Sequence, residues 1–66
     1  MELTINGSKK EYQDKITVQQ LLQLSNISPG RVVIELNRNI LSPDMHDKTE
    51  LRHGDTIELI QFVGGG

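Results

Sequence analysis

The residues with the clearest chemical potential stand at the end of the sequence, where a strand-like run leads into Gly64, Gly65 and Gly66. Glycine has no side chain to pack and loses more backbone entropy on ordering than any other residue. We therefore expect residues 64–66 to form a flexible arm that can carry the carboxylate of Gly66 roughly 10 Å from a folded domain. That carboxylate is the predicted functional group, and the alternative is a frayed end without a role.

Side chains elsewhere in the sequence offer little for catalysis or metal binding. His46 and His53 are seven residues apart in a polar stretch, and this spacing matches no known set of metal ligands. We interpret both histidines as solvated loop residues. The serines fall where turns and helix caps use hydroxyl groups, and none of them forms a triad pattern with a histidine and a carboxylate. We therefore predict no catalytic residue and no metal site.

Length and composition predict one small domain over residues 1–66. The chain has 66 residues, and a chain of this size buries only about 60% of the surface that its unfolded form exposes. An enclosed catalytic cleft has little room, so we expect a protein that is not itself an enzyme. With a formal net charge of −2, and with Tyr12 and Phe62 as its aromatic residues, the chain lacks the basic, aromatic surface typical of nucleic-acid binding.

Three features of the sequence bear on the location of the protein in the cell and on its source of sulfur. The longest apolar runs, residues 32–34 among them, are far too short to span a bilayer. The sequence opens as a strand pattern without the charged and apolar regions of a signal peptide, so we expect a cytoplasmic protein. Because the chain contains no cysteine, a sulfur atom attached at Gly66 would have to come from a partner.

Two strands are predicted at the start of the sequence. Residues 1–5 alternate apolar and polar side chains, which is the pattern of a half-buried strand. Asn6-Gly7 follows, and this pair is a strong hairpin signal because both residues tolerate positive φ. A second, polar strand over residues 9–13 suits the edge of a sheet, where lysines oppose aggregation.

A helix start is the clearest local signal in the sequence. Thr17 and Gln20 have the spacing of a capping box, in which each side chain bonds the backbone N–H of the other residue. Ile16, before the cap, can pack on Leu21 and so fix the direction in which the chain enters the helix. We predict a short helix over residues 18–25.

Three further strands and one irregular segment complete the predicted elements. The strands are expected over residues 32–36, 40–41 and 56–63. The last of them is the most convincing because it is rich in β-branched and aliphatic side chains. Residues 44–52 lack a sustained period and are predicted to form a loop with one irregular helical turn, anchored by Met45 and Leu51.

These elements can be assembled in few ways, because a lone helix needs a sheet to cover and the sheet needs one buried face. Placing the first and last strands side by side and parallel at the centre puts their apolar faces under the helix. The predicted fold is α+β: a ubiquitin-like β-grasp with a mixed sheet of four to five strands and one main helix packed on one face. Its predicted interior consists of Leu3, Ile5, Leu21, Ile34, Leu36, Ile57 and Leu59.

The last strand carries apolar residues on both of its faces. If Ile57 and Leu59 point at the helix, Ile60 and Phe62 point away from it. Two apolar side chains on one exposed face, leading directly into the glycine arm, are typical of a docking patch. The alternative is that a neighbouring loop covers them. We predict that Ile60, Phe62 and Val63 bind a partner protein.

Short segments along the whole chain match one known family: Asn6-Gly7, Thr17-Val18 with Leu21-Leu22, residues 34–37, residues 53–55, and Phe62-Val63 before the glycines. Together they resemble the sulfur carriers of thiamine biosynthesis, the ThiS family. Each local match is weak alone, but their combination with the length and the terminal glycines is specific. Most members end in a pair of glycines, whereas this sequence ends in three, which shifts the residue found at each depth of a partner's channel.

The resemblance implies a carrier that acts as a co-substrate of partner enzymes. An E1-like adenylyltransferase of the ThiF type would use ATP to adenylate the carboxylate of Gly66, so the carrier itself would bind no cofactor. Sulfur from a cysteine desulfurase pathway would turn the adenylate into a thiocarboxylate, which would donate its sulfur to a thiazole synthase of the ThiG type. Two alternatives stay open: a carrier like the small subunit of molybdopterin synthase, and a non-catalytic β-grasp module that only binds a protein partner.

Overall fold

The computed structural model describes residues 1–62, which form a five-stranded sheet and one α-helix. The sheet has two edge strands in the described chain: a polar one that follows the turn at Asn6-Gly7, as predicted, and a short one that follows the turn at Asn37-Arg38. The strands are β1 (Glu2–Ile5), β2 (Ser8–Glu11), β3 (Val32–Leu36), β4 (Asn39–Leu41) and β5 (Thr56–Gln61), and the helix is α1 (Val18–Leu24). Short 3₁₀ turns, Pro29–Arg31 and Pro43–Met45, precede β3 and follow β4.

The sheet has the strand order β2-β1-β5-β3-β4. β1 and β5 lie side by side and parallel, and the other neighbours are antiparallel. This arrangement confirms the predicted β-grasp, with the first and last strands next to each other inside the sheet. A parallel pair cannot be joined by a tight turn, and here the connection from β1 to β5 includes α1, which crosses one face of the sheet.

Two-residue turns close both hairpins. Asn6 and Gly7 have φ values of 49° and 82°, and Asn37 and Arg38 have values of 50° and 72°. Positive φ at both central residues gives a turn the twist that antiparallel strands require. The first turn sets the pairing of Ile5 with Ser8. For this reason β2 begins at residue 8 rather than at the predicted residue 9.

The start of α1 is closed by the predicted capping box and by a distant loop. Gln20 N–H donates to Thr17 Oγ1 at 3.2 Å, and Thr17 N–H donates to Gln20 Oε1 at 2.8 Å. The N–H groups of Val18 and Gln19 donate, at 3.0 Å each, to backbone carbonyls in the segment 46–49. Helix-start N–H groups have no partner within the helix, so this loop is bound to α1 through groups that the helix cannot satisfy itself.

The core lies between α1 and the sheet. It contains all the predicted interior residues except Leu36, which is partly buried and packs against the core. Leu51 is buried as predicted, whereas the second predicted anchor of its loop, Met45, is 39% exposed, so that prediction is wrong. Among residues 1–62, no helix is long and apolar enough to cross a membrane. The core residues are Leu3, Ile5, Ile16, Val18, Leu21, Leu22, Val32, Ile34, Leu51, Ile57 and Leu59.

Candidate partner-docking site

The two faces of β5 have different surroundings. Ile57 and Leu59 point into the core and are 0% and 8% exposed. Ile60 and Phe62, which alternate with them along the chain, are 47% and 58% exposed. The predicted orientation of the strand is therefore confirmed. The predicted contact of Ile60 and Phe62 with a partner stays a prediction.

Ile60 and Phe62 belong to a larger apolar surface, which we call the open-face patch and define as Val33, Ile40, Ile60 and Phe62. Val33 is directly opposite Ile60 in the register of β3 with β5. Ile40 is opposite Glu35, the next residue but one after Val33 on the same face of β3. Ile40 is exposed and Val33 is half-buried. The patch therefore extends across three strands on the face of the sheet that α1 does not cover.

The sequence-based prediction did not include Val33 and Ile40 among the site residues. The signal that could have identified them is the alternation of side chains between the two faces of each strand. Val33 precedes the buried Ile34, and Ile40 precedes Leu41, which packs against the core. Each therefore points to the opposite face from its neighbour. The strand register that places Val33 beside Ile60 could not be read from either segment alone.

Acidic side chains border the open-face patch. Glu35 and Glu58 are directly opposite each other in the β3–β5 register, on the same face as Val33 and Ile60. Like charges in this position oppose strand pairing. A basic side chain of a bound molecule would meet two carboxylates next to an apolar surface, so the chemistry of this face suits a partner with both apolar and basic contacts.

The end of β5 is attached to the 3₁₀ turn that precedes β3. Gln61 is opposite Val32 in the register, and the N–H of Phe62 donates to the carbonyl of Arg31 at 3.0 Å. This bond continues the β3–β5 pairing one residue beyond the strand. It holds the backbone of Phe62 and keeps its side chain on the open face.

Several site predictions fall on residues that the structure does not describe. Val63, Gly64, Gly65 and Gly66 lie outside residues 1–62. The partner contact of Val63, the flexible arm over residues 64–66 and the chemistry at Gly66 therefore stay predictions. The described part of the chain ends at Phe62 in the open-face patch, so the patch and the predicted arm are continuous in sequence.

The structure contradicts the prediction that His46 is a solvated loop residue. His46 is only 4% exposed, and neither ring nitrogen has a hydrogen-bond partner among the described residues. Its backbone carbonyl accepts the N–H of Gln19 at 3.0 Å, which holds the residue against the start of α1. His53 is exposed as predicted, and its Nδ1 accepts the N–H of Glu2 at 2.9 Å.

The surface next to His46 contains a depression of about 270 Å³ whose rim includes Asp44, Asp47 and Lys48. Among residues 1–62, no hydroxyl or thiol side chain lines it, so this part of the chain offers there no pair of a hydroxyl or thiol nucleophile and a base. Within residues 1–62, no group of three or more histidine, aspartate and glutamate side chains is placed to hold a metal ion. The open-face patch is therefore the surface that the structure best supports as a functional site.

Comparison with known proteins gives consistent results along the whole chain. The model of the ThiS family matches residues 2–66. The sulfur carrier protein ThiS of Bacillus subtilis is 34% identical over 65 residues, covering 97% of this chain and 98% of that protein. The crystal structure of the thiamine biosynthesis protein ThiS from Geobacter metallireducens superimposes with a TM-score of 0.86 at 32% identity, covering 100% of both chains.

A longer relative contains a similar stretch. The thiazole synthase of Paramagnetospirillum magneticum is 30% identical over 66 residues. The match covers 100% of this chain but only 20% of the length of that enzyme. A sequence similar to the entire chain therefore lies within a longer protein that is named as a thiazole synthase.

Proposed function

Because the chain belongs to the ThiS family, we propose that it is a sulfur carrier of thiamine biosynthesis that carries sulfur as a thiocarboxylate on Gly66. The observation on which the proposal rests is the family match over residues 2–66, which includes the three glycines. The open-face patch supports it, because a carrier without catalytic groups of its own must dock on the enzymes that act on it. In this proposal the chain is a co-substrate and not an enzyme.

Two partner reactions account for the chemistry at Gly66. A carboxylate is a poor electrophile until one of its oxygens becomes a good leaving group. In the first reaction, a carboxylate oxygen attacks the α-phosphorus of ATP and pyrophosphate leaves, which gives an acyl adenylate. In the second, the terminal sulfur of a cysteine persulfide attacks the carbonyl carbon and AMP leaves. This leaves an acyl disulfide between Gly66 and the partner cysteine. A partner thiolate then attacks the cysteine sulfur of that disulfide, a new disulfide forms in the partner, and the thiocarboxylate leaves.

The glycines suit a group that must reach more than one active site. Glycine has no Cβ, so its backbone can approach other atoms more closely than that of any other residue. Three extended residues span roughly 10 Å, which is long enough to bring Gly66 into a partner's channel while Ile60 and Phe62 dock outside it. Val63 would lie at the mouth of that channel. ATP is bound by the partner in this scheme, and the carrier holds no cofactor.

Three kinds of partner follow from the proposal. An E1-like adenylyltransferase activates Gly66, a cysteine desulfurase pathway supplies the sulfur, and a thiazole synthase accepts it. The thiazole synthase is supported by the relative from Paramagnetospirillum magneticum, since a similar sequence shares one polypeptide with that enzyme. The acidic residues beside the open-face patch favour basic side chains on the docking surfaces of these partners.

The test is whether sulfur is loaded onto the carboxylate and whether loading depends on its position. The chain ending at Gly66 is incubated with an E1-like adenylyltransferase, ATP and a persulfide donor, and intact-protein mass spectrometry detects replacement of one oxygen by sulfur. An alanine added after Gly66 moves the carboxylate by about 3.5 Å. Because a misplacement of 1 Å can cost a factor of about 10² in rate, the extended chain should not be loaded. Removal of Gly65 and Gly66 should have the same effect.

The control is that neither change should alter folding or docking. All core residues of the described part of the chain lie before residue 60, so the melting temperature should stay the same. The extended chain should still bind the adenylyltransferase through the open-face patch. If the original chain acquires no sulfur, the carrier proposal is wrong and the chain is a binding module. If the alanine-extended chain acquires sulfur as readily as the original one, the proposed dependence on the position of the carboxylate is wrong. Transfer of the sulfur to a molybdopterin precursor, and not to thiazole synthase, would assign the carrier to the other pathway.

A further inference from the structure

The C-terminal half of β5 extends beyond the end of its parallel neighbour β1. The last paired residues are Ile5 and Ile57, and the N–H of Asn6 donates to the carbonyl of Ile57 at 3.0 Å. After Asn6 the chain turns away into the hairpin, whereas β5 continues to Gln61. On the side that faces β1, the last part of β5 therefore has no strand backbone to pair with in the described chain.

The side chain of Asn6 takes the place of the missing backbone. Its Oδ1 accepts the N–H of Leu59 at 2.7 Å, and its Nδ2 donates to the carbonyl of Leu59 at 3.3 Å. A carboxamide has the same donor and acceptor as a peptide group. The asparagine therefore adds one further pair of hydrogen bonds to the β1–β5 ladder after β1 itself has ended.

Asn6 also has a positive φ in the hairpin turn, which limits the residues that can replace it. Its φ of 49° places it in the left-handed region, which asparagine, aspartate and glycine tolerate best. Of these three, glycine has no side chain to bond Leu59. Ionised aspartate can accept from the N–H but cannot donate to the carbonyl. Asparagine alone satisfies both the turn and both hydrogen bonds of Leu59.

The position of this contact links it to the proposed function, on which the inference rests. Leu59 directly precedes Ile60 of the open-face patch, and Phe62 is held on the opposite side by the carbonyl of Arg31. A strand bonded on both sides near its end has a fixed direction. We propose that Asn6 is a positioning residue, whose side chain holds the end of β5 so that the segment carrying Gly66 is directed into the active site of the adenylating partner.

The chain offers a matched control in Asn37. It is also the first residue of a two-residue turn, with a φ of 50°, and its Oδ1 accepts the N–H of Thr56 at 2.9 Å. Its Nδ2 donates to Asp55 Oδ1 at 3.0 Å. Asn37 therefore bonds the same strand in a similar way, but at the end of β5 that is remote from Gly66.

The experiment compares Asn6→Gly, Asn6→Asp and Asn37→Gly with the original chain, at a temperature at which all four are folded. Steady-state kinetics with the adenylyltransferase, with the chain as the varied substrate, give kcat and KM. We expect Asn6→Gly to lower kcat about tenfold or more, because geometry sets the barrier once the chain is bound. KM should change little, since the open-face patch is intact, and Asn6→Asp should give an intermediate kcat. Asn37→Gly should leave kcat unchanged.

Hydrogen exchange at the Leu59 amide provides a readout independent of the enzyme, and it should be faster in Asn6→Gly than in Asn37→Gly. A kcat for Asn6→Gly equal to that of the original chain would overturn the inference and leave the proposed function standing. A drop in kcat of the same size in both would also overturn it, because the effect would then follow general stability. If the original chain is never adenylated, the proposed function fails and this inference fails with it.

Discussion

The two faces of β5 place the same kinds of residue in opposite situations. Ile57 and Ile60 are three residues apart on one strand, yet the first is fully buried and the second is 47% exposed. On the inward face, the chain itself completes the burial, because α1 lies over Ile57 and Leu59. On the outward face, none of the described elements lies over Ile60 and Phe62. Apolar area there is removed from water only when another molecule covers it.

This difference separates the residues that make the chain fold from those that we propose make it bind. Burial of apolar area stabilises the structure in which that area is buried, by about 25 cal/mol per Å². For Ile57 and Leu59 that structure is the folded domain. For Ile60 and Phe62 it is the docked pair of proteins. Changes on one face should therefore appear in denaturation experiments, and changes on the other should appear in binding experiments.

The largest expected effect distinguishes the two isoleucines. Ile57→Ala should lower the free energy of unfolding by about 2–5 kcal/mol, because it leaves a cavity under α1. Ile60→Ala should change it by about 0.5 kcal/mol or less, as is usual at surface positions. Urea denaturation followed by circular dichroism measures both values.

Native domains have a stability of only about 5–15 kcal/mol, and a loss at the upper end of the expected range for Ile57→Ala would leave too little folded protein to measure. Ile57→Val then replaces it, with an expected loss of about 0.5–1.5 kcal/mol. Equal losses at positions 57 and 60 would contradict the assignment of the two faces.

The next effect is on binding and concerns Phe62. Aromatic residues that become desolvated at the centre of an interface carry much of its binding energy. Phe62→Ala should weaken binding to the adenylyltransferase by about 2 kcal/mol or more, which is roughly 30-fold in Kd. Isothermal titration calorimetry measures the affinity, and the melting temperature should hardly change.

Leu24 supplies the control for this experiment. It is a large apolar residue that is 62% exposed, but it lies on α1 and not on the open face. Leu24→Ala should leave the affinity unchanged. An unchanged affinity for Phe62→Ala, or an equal loss for both variants, would remove the open-face patch from the docking surface.

Much of the fold could be predicted because its main signals are local. The alternation of apolar residues in β5 fixed which of them are buried, and the capping box at Thr17 fixed the start of α1. Asn6-Gly7 predicted the first hairpin turn. Each of these signals depends on residues within one turn or one strand, so a single segment contains all the information that is needed.

The burial of His46 could not be predicted for the opposite reason. Its segment is attached to the start of α1 at Val18, 28 residues earlier in the chain (46 − 18), because two helix N–H groups bond carbonyls in the segment 46–49. His46 is 4% exposed, whereas the neighbouring Met45 is 39% exposed. Nothing in the composition of residues 44–52 indicates which of the two side chains is enclosed.

The open-face patch could be predicted from the sequence only in part. Ile60 and Phe62 could be found from the period of β5 alone. Val33 and Ile40 required the order and register of three strands, which arise only when the sheet forms. The chemistry predicted at Gly66 came from residue types and family resemblance, and not from geometry, since the described chain ends at Phe62.

The smallest expected effect is on the free energy of unfolding and comes from two like charges on the outward face. Inward, the β3–β5 register pairs Ile34 with Leu59, and outward it pairs Glu35 with Glu58. The first pair favours folding and the second opposes it, since like charges directly opposite each other destabilise a sheet. Glu58→Gln should therefore raise the free energy of unfolding by about 0.2–1 kcal/mol.

A double-mutant cycle tests whether repulsion between the carboxylates causes this gain. If it does, Glu35→Gln and Glu58→Gln each remove the same repulsion, so the double variant should be less stable than the sum of the two gains predicts. The gains should also shrink at high salt, which screens exposed charges. Strictly additive gains that are insensitive to salt would mean that the two glutamates do not interact. If Glu58→Gln stabilises the chain but weakens binding to the adenylyltransferase, the outward face is adapted to a basic partner at the expense of the fold.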